Sequence, residues 1–247
     1  MSEKYWFLKN CSLFEQLDDQ QLEWIEACSR SKNFPANSPV YLPAEKADYV
    51  FLLAKGLVKV SHLTADGKES ILTFVEPGEL FGELAIFDGQ PRDELVKAMQ
   101  PSTVVMIPTE QMHRLMSQRA DVALGITKLV GLRCQRIERR LKNLLFLPNR
   151  HRLVHLLLEL ADQYGFATDD GIRLRIKLSH QDLANLIGST RETVTVVLGQ
   201  LKAEGSVNGG RCKIVLTQPE RLARSVDRQP PRVSRPSPRL TPVLVAG

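Results

Sequence analysis

The chain has 247 residues, room for one large domain or two modest ones, and it is 43% hydrophobic and 25% charged, an ordinary soluble composition. No apolar run approaches the length of a membrane span, which excludes a helical membrane protein and leaves no membrane partner to expect. The net charge of +5 collects toward the C-terminus: residues 1–149 carry 18 basic and 19 acidic side chains, residues 150–226 carry 11 and 8, and residues 227–247 carry 4 and 1. That is the direction expected if the C-terminal part meets a polyanion.

The opening Met1-Ser-Glu-Lys-Tyr-Trp-Phe has no apolar h-region and no small-residue cleavage site, so no secretion signal is read there and a cytoplasmic protein is expected. Cys11, Cys28, Cys134 and Cys212 are far apart and fit no ligand spacing. Neither a metal site nor a disulfide framework is indicated, and scattered thiols suit a reducing compartment.

Residues 1–30 read as short helices: Leu13, Phe14 and Leu17, then Leu22 and Ile25, recur at helical spacing, with Asp18 or Asp19 placed to cap the second. From about residue 33 short extended runs begin at Pro39, Tyr49, Gly56, Ser70 and Ser102, separated by turn signals at Asp66-Gly67, Pro77-Gly78 and Asp88-Gly89. Strands so spaced predict a β-barrel or roll. Thr109 is placed to cap a short helix, and a longer one is predicted over 119–146. Its apolar stripe holds Ile126, Val130, Ile137, Leu141 and Leu144, with Arg133, Arg136, Arg139 and Arg140 on the same helix. The stripe has two potential partners, its own roll or a second copy of itself, and the 130/137/144 spacing favours the second copy.

Pro148 interrupts that helix, because proline disfavours helical geometry in the residue before it. Another amphipathic helix follows with Leu153, Val154, Leu156, Leu157, Leu160 and Ala161, and then an alternating strand Ile172–Ile176. From Asp227 onward five prolines interleave with arginines and little can be buried, so a disordered tail over 227–247 is expected.

The most specific signal runs from Leu178 to Lys202. Ser179 with Asp182 resembles a capping box, and Ser189 with Glu192 fits one directly, with Gly188 at the turn between two helices. Leu183, Ala184 and Ile187 face inward on the first helix, and Val194, Val197, Leu198 and Leu201 on the second. This is a helix-turn-helix layout whose second helix enters the major groove. Its groove side presents Thr190, Arg191, Glu192, Thr195 and Val196, and Ser179, His180 and Gln181 open the first helix toward DNA. Arg191 suits a bidentate pair with guanine, and Glu192 accepts from cytosine N4. Val207–Val215 reads as a hairpin around Asn208-Gly209, a wing that offers Arg211 and Lys213 to phosphates.

Gly78-Glu-Leu-Phe-Gly-Glu-Leu84 with Pro91-Arg92, and Gly188-Ser-Thr-Arg-Glu-Thr-Val194, are the residues on which the chain resembles the cAMP receptor protein/Fnr (Crp/Fnr) family of bacterial transcription regulators, over roughly residues 10–220. The resemblance implies an α+β fold in four parts. These are a cyclic-nucleotide-binding-type β-roll with flanking helices over 1–118, a long dimerisation helix over 119–147, a winged helix-turn-helix over 148–226, and the tail. It also implies a homodimer on a near-palindromic double-stranded DNA operator, and contact with RNA polymerase. In nucleotide-binding relatives, backbone around the residues matching Gly82, Glu83 and Leu84, together with the matching Arg92, holds the cyclic phosphate, and Glu83 takes the ribose hydroxyl.

Two departures bear on the effector. Small residues usually follow the arginine, but Asp93 and Glu94 stand here, adding carboxylates near the phosphate position. Ile137-Glu138 aligns with the pair that contacts adenine in the cAMP-binding members. Three readings of the roll therefore stay open: a cAMP site, a site for another nucleotide or small anion, and a merely structural cassette. No cofactor beyond such an effector is expected: Cys11 and Cys28 do not make an iron–sulfur cluster, and His62, His113, His151 and His155 read as solvated or satisfied rather than as haem ligands. Nothing assembles a nucleophile with a base or a metal, so no catalytic activity is expected. The rival is a cyclic-nucleotide-binding module acting on a protein partner, against which the helix-turn-helix argues.

Overall fold

The computed structural model describes residues 2–210 and 212–233. Its elements in chain order are α1 (Glu3–Lys9), a 3-10 turn (Ser12–Phe14), α2 (Asp19–Cys28), β1 (Arg30–Phe34), β2 (Pro39–Tyr41), β3 (Tyr49–Lys55), β4 (Val58–Leu63), β5 (Glu69–Val75), β6 (Leu80–Phe81), α3 (Ala85–Asp88), β7 (Leu95–Ala98), β8 (Ser102–Pro108), α4 (Thr109–Gln118) and α5 (Ala120–Phe146). There follow α6 (Asn149–Tyr164), β9 (Gly165–Thr168), β10 (Gly171–Leu174), α7 (His180–Ile187), α8 (Arg191–Ala203), β11 (Val207–Asn208), β12 (Val215–Leu216) and α9 (Pro219–Ser225). Residue contacts divide the chain into two units after Ile137, inside α5.

In the first unit two antiparallel four-stranded sheets, ordered β1-β8-β3-β6 and β2-β7-β4-β5, form the roll. Strand β3 is apolar from Val50 to Ala54 because both of its faces are covered there. Val50, Leu52 and Ala54 face a core built with α1, α2, α4 and the start of α5, while Phe51 and Leu53 face the space between the sheets. On β8, Val105 and Ile107 join the first core and Val104 the second, the period of two that a strand imposes. Asp18, not Asp19, caps α2, in a reciprocal box with Gln21.

Three strands of the roll were not expected. β1 buries only Phe34, β6 is two residues long, and β7 follows an irregular segment, so none carries a legible alternation. Thr109 is the first helical residue of α4 rather than its cap, and its hydroxyl donates to the Ala47 carbonyl at 2.9 Å.

The second unit packs α7 and α8 against α6, beside an antiparallel sheet ordered β11-β12-β10-β9. The predicted Asn208-Gly209 turn is a longer crossing. Val207 pairs with Leu216 and Asn208 with Val215, so Gly209 does not close a two-residue turn. Residues 234–247 of the tail, and Arg211, lie outside the described residues. The first residues of the tail are tied down: Arg228 donates to the His155 carbonyl at 3.0 Å and pairs with Asp162 at 2.6 Å.

Gly56, between β3 and β4, has φ +101°, and a Cβ there would meet Ser102 Oγ at 2.2 Å and the Pro101 carbonyl at 2.7 Å. Gly56→Ala is therefore expected to cost about 2–4 kcal/mol from backbone strain and overpacking. Urea unfolding checks this, and a loss under about 0.5 kcal/mol would contradict it.

Candidate nucleic-acid interface and effector cassette

The helix-turn-helix is built by its caps. Ser179 accepts from the Asp182 amide, and Asp182 reaches back to the Ser179 amide, closing the box with aspartate in the usual glutamate place. Gly188 ends α7 at φ +62°, and Arg152 of α6 donates to the Ile187 carbonyl at 3.0 Å, occupying an acceptor that the helix end leaves open. The cap of α8 differs from expectation: Thr190, not Ser189, accepts from the Thr193 amide. The Ser189 amide is used instead in a bond to the Ala184 carbonyl, so the helix starts one residue later.

Leu183, Ala184, Ile187, Val194, Val197, Leu198 and Leu201 are all buried. The opposite face leaves Gln181, Thr190, Arg191, Glu192, Thr195 and Val196 exposed, Val196 at 60%. Arg191 and Glu192 side chains make no hydrogen bond or ion pair with the described residues, so both project unencumbered from the first turn of α8. Thr195 is partly committed: it donates to the Arg191 carbonyl, and His180 Nδ1 lies 2.8 Å from its hydroxyl. Burial, with Lys202 and Arg191 nearby, holds the His180 imidazole below its ordinary pKa. Lys213 is exposed on the loop between β11 and β12.

In the roll, the sequence places Gly82, Glu83, Leu84 and Arg92 around one short bend. Gly82 takes φ +66°, and its carbonyl accepts from Arg92 Nη1 at 2.9 Å. Arg92 is buried, also donates to the Tyr49 carbonyl, and lies over the rings of Tyr41 and Phe51 at 4.5 and 5.2 Å. Those rings continue into a stack with Phe81. Glu83 is buried and paired with Arg133 of α5, which also donates to the Leu80 carbonyl. Leu84 is exposed.

Asp93 does not join the cassette. Its side chain is 92% exposed and faces His62, whereas Glu94, at the bend before β7, is half-buried. Burial raises the Glu94 carboxyl above its usual pKa, and Glu83 adds to the effect. Ile137 and Glu138 are exposed on α5, four and five residues beyond Arg133. Tyr41 and Arg133 are cassette neighbours that the sequence reading missed. Arg133 sits 50 residues from its partner and Tyr41 on a three-residue strand, so no local pattern announces either.

The α5 stripe divides. Ile126, expected at a seam between copies, is buried with Val122 in the chain's own core, with Leu129 and Val130 packed against it. That core closes over the first two turns because α1, α2 and α4 surround them. Ile137, Leu141 and Leu144 remain about half exposed.

Residues 31–119 match the cyclic nucleotide-binding domain family, and residues 151–225 match the Crp-like helix-turn-helix domain family. The chain is 31% identical to the cAMP-activated global transcriptional regulator CRP of Pasteurella multocida, over 80% of this chain and 95% of that protein. The chain belongs to the Crp/Fnr family. Among other Crp/Fnr proteins, the global nitrogen regulator of Synechocystis is 31% identical over 78% of this chain and 86% of its own length. The solved structure of the c-di-GMP responsive global regulator CLP of Xanthomonas campestris superposes with a TM-score of 0.72 at 25% identity, covering 81% of this chain and 99% of that one.

As a Crp/Fnr protein the chain is an effector-modulated, DNA-binding regulator of transcription rather than an enzyme. No helix among the described residues is long and apolar enough to cross a membrane.

The Glu83–Arg133 pair makes a testable demand. Arg133→Met leaves a buried carboxylate without its cation and is expected to cost about 3 kcal/mol, most of it recovered in the double variant with Glu83→Gln. Denaturant unfolding at neutral pH measures both, and equal stability of Arg133→Met and wild type would refute the pairing.

Proposed function

We propose that the chain acts in the cytoplasm as a homodimer that sets two copies of α8 into successive major grooves of a near-palindromic operator, engages RNA polymerase, and answers to a small anionic effector at Arg92. The observation that carries this reading is the unencumbered Arg191–Glu192 pair on the exposed face of a capped α8. Arg191 donates to guanine O6 and N7, Glu192 accepts from cytosine N4, and Lys213 meets phosphate. Engagement of RNA polymerase and the cytoplasmic location rest on family membership.

The dimer reading rests on α5. Val130, Cys134, Ile137, Leu141 and Leu144 follow alternating steps of four and three residues, the spacing of a two-helix seam, and the last four are exposed. An apolar stripe of this kind gains by burial against a copy of itself, at about 25 cal/mol per Å². The effector reading rests on a buried guanidinium beside a backbone bend, an arrangement suited to phosphate or carboxylate. The P. multocida relative is cAMP-activated and the X. campestris protein is c-di-GMP responsive, which supports a nucleotide as the anion. The bonds of Arg92 to the Gly82 and Tyr49 carbonyls favour a second reading, a cassette that only braces the roll. Arg92→Ala separates the two, since a structural cassette would leave effector-dependent DNA binding intact.

Ile137→Asp places a charge in the seam and is expected to give monomers with weak operator affinity. Mild oxidation of the wild type is expected to cross-link two copies through Cys134. Sedimentation and non-reducing gels report both, and an unchanged dimer together with uncrosslinked chains would put the seam elsewhere.

Base reading is tested by site selection from random DNA. Val196, exposed on the groove side, offers no hydrogen bond but suits a thymine methyl. The expected half-site keeps the G·C pair read by Arg191 and Glu192 and is relaxed or shifted toward T·A where Val196 faces. Arg191→Ala should cost about 1–3 kcal/mol per half-site and relax its own position. Identical selected motifs from wild type and Val196→Arg would mean that residue 196 does not reach the bases.

A further inference from the structure

We propose that His180 is a proton-dependent phosphate contact: each half-site the protein binds takes up a proton at His180 Nε2, so operator affinity rises as the medium turns acid. This rests on the reading of α8 as the helix in the major groove.

The geometry starts from one hydroxyl. Thr195 lies a turn beyond Arg191 on the exposed face of α8, and its Oγ1 donates to the Arg191 carbonyl at 2.8 Å, a back-bond open to threonine within a helix. His180, the first residue of α7, brings Nδ1 to 2.8 Å from the same oxygen. A hydroxyl carries one proton and two lone pairs. With its proton on the carbonyl, Oγ1 can only accept, so Nδ1 is the donor and holds the ring's first proton. In a neutral ring Nε2 is then a bare lone pair. The half-buried imidazole is thus fixed against the groove face of α8, with one nitrogen committed and the other left to a partner.

A bare lone pair repels a phosphate oxygen, whereas a protonated Nε2 donates a charge-assisted bond to it. Adding that proton leaves Nδ1–H and the Thr195 chain unchanged, so neither state loses a bond inside the protein. Charge and burial alone oppose it. Burial, with Lys202 and Arg191 of α8 close by, holds the ring below its ordinary pKa. On α7 the nearest acid, Asp182, is engaged by Ser179, and α6 meets this helix through Arg152 at its far end, at the Ile187 carbonyl. Without DNA the ring is therefore neutral at neutral pH. Duplex DNA brings one phosphate charge per about 1.7 Å of its axis, which reverses the sign of the local field.

The direction of the pH effect follows. The imidazole binds its proton more tightly in the complex than in the free protein. Affinity gained through it is complete below the free protein's pKa and is lost as pH rises through that of the complex. Between the two, one proton per half-site amounts to a factor of about ten in affinity per pH unit.

Fluorescence anisotropy with an operator selected from random DNA, from about pH 5 to 8 at constant salt, tests the proposal. Calorimetry in two buffers of different ionisation enthalpy counts the protons. Wild type is expected to tighten by up to about tenfold per pH unit per half-site and to take up protons on binding. His180→Gln keeps a donor for Thr195 but cannot be charged, and should lose both effects. His180→Arg, charged throughout, should bind tightly over the whole range without this uptake, which a variant that merely misfolded would not do. Thr195→Val removes the acceptor that fixes the ring and should diminish the uptake. A wild-type affinity that is flat with pH overturns the proposal, as does a pH gain that survives in full in His180→Gln. If either is seen while Arg191→Ala still weakens the operator, the groove reading stands and the proton assignment falls. If Arg191→Ala and His180→Gln both leave operator affinity unchanged at every pH, the reading of α8 as the groove helix falls as well.

Discussion

A carboxylate buried in the roll needs a cation beside it to offset its lost hydration, and for Glu83 that cation comes from the long helix. Arg133 spends its guanidinium on Glu83 and on the Leu80 carbonyl, so the cassette is bonded to α5 rather than merely beside it. Any ligand that alters the position or charge of Glu83 therefore acts directly on α5. The same helix continues without a break to Phe146.

The two functional regions manage their polar groups in opposite ways. In the helix-turn-helix nearly every local donor and acceptor is answered inside the chain: Ser179 and Asp182 answer each other, Thr190 caps α8, and Arg152 caps the end of α7. The Arg191 and Glu192 side chains, by contrast, make no hydrogen bond or ion pair with the described residues. A rigid, satisfied frame lowers the entropy lost when those side chains meet base edges. Inside the roll the reverse holds at Tyr41, whose hydroxyl is withdrawn from water without a hydrogen-bond partner. That cost is borne by the apolar stack of Tyr41, Phe51 and Phe81 and by the doubly covered strand β3.

Much of this protein was determined by its sequence alone, wherever a short-range rule sufficed. Two capped helices around Gly188, with their inward and outward faces, follow from spacing within 25 residues, and the structure displaces only the second cap, from Ser189 to Thr190. The alternation and turn glycines announced a roll, whereas Gly78–Leu84 and Pro91-Arg92 were legible as a cassette only through the family resemblance. Strands that bury one residue or span two, such as β1 and β6, had no periodicity to read.

Tertiary structure decided what depends on residues distant in the chain. Spacing alone put Ile126 and Ile137 on one stripe. Only the packing of α1, α2 and α4 around the first turns of α5 made Ile126 core and left Ile137 exposed. Likewise, Asp93 and Glu94 are equivalent as letters, yet the fold leaves one 92% exposed beside His62 and the other half-buried at the bend before β7. The partner of Glu83 lies fifty positions away, beyond any helical or strand period, so the contact exists only once the roll and α5 have packed together.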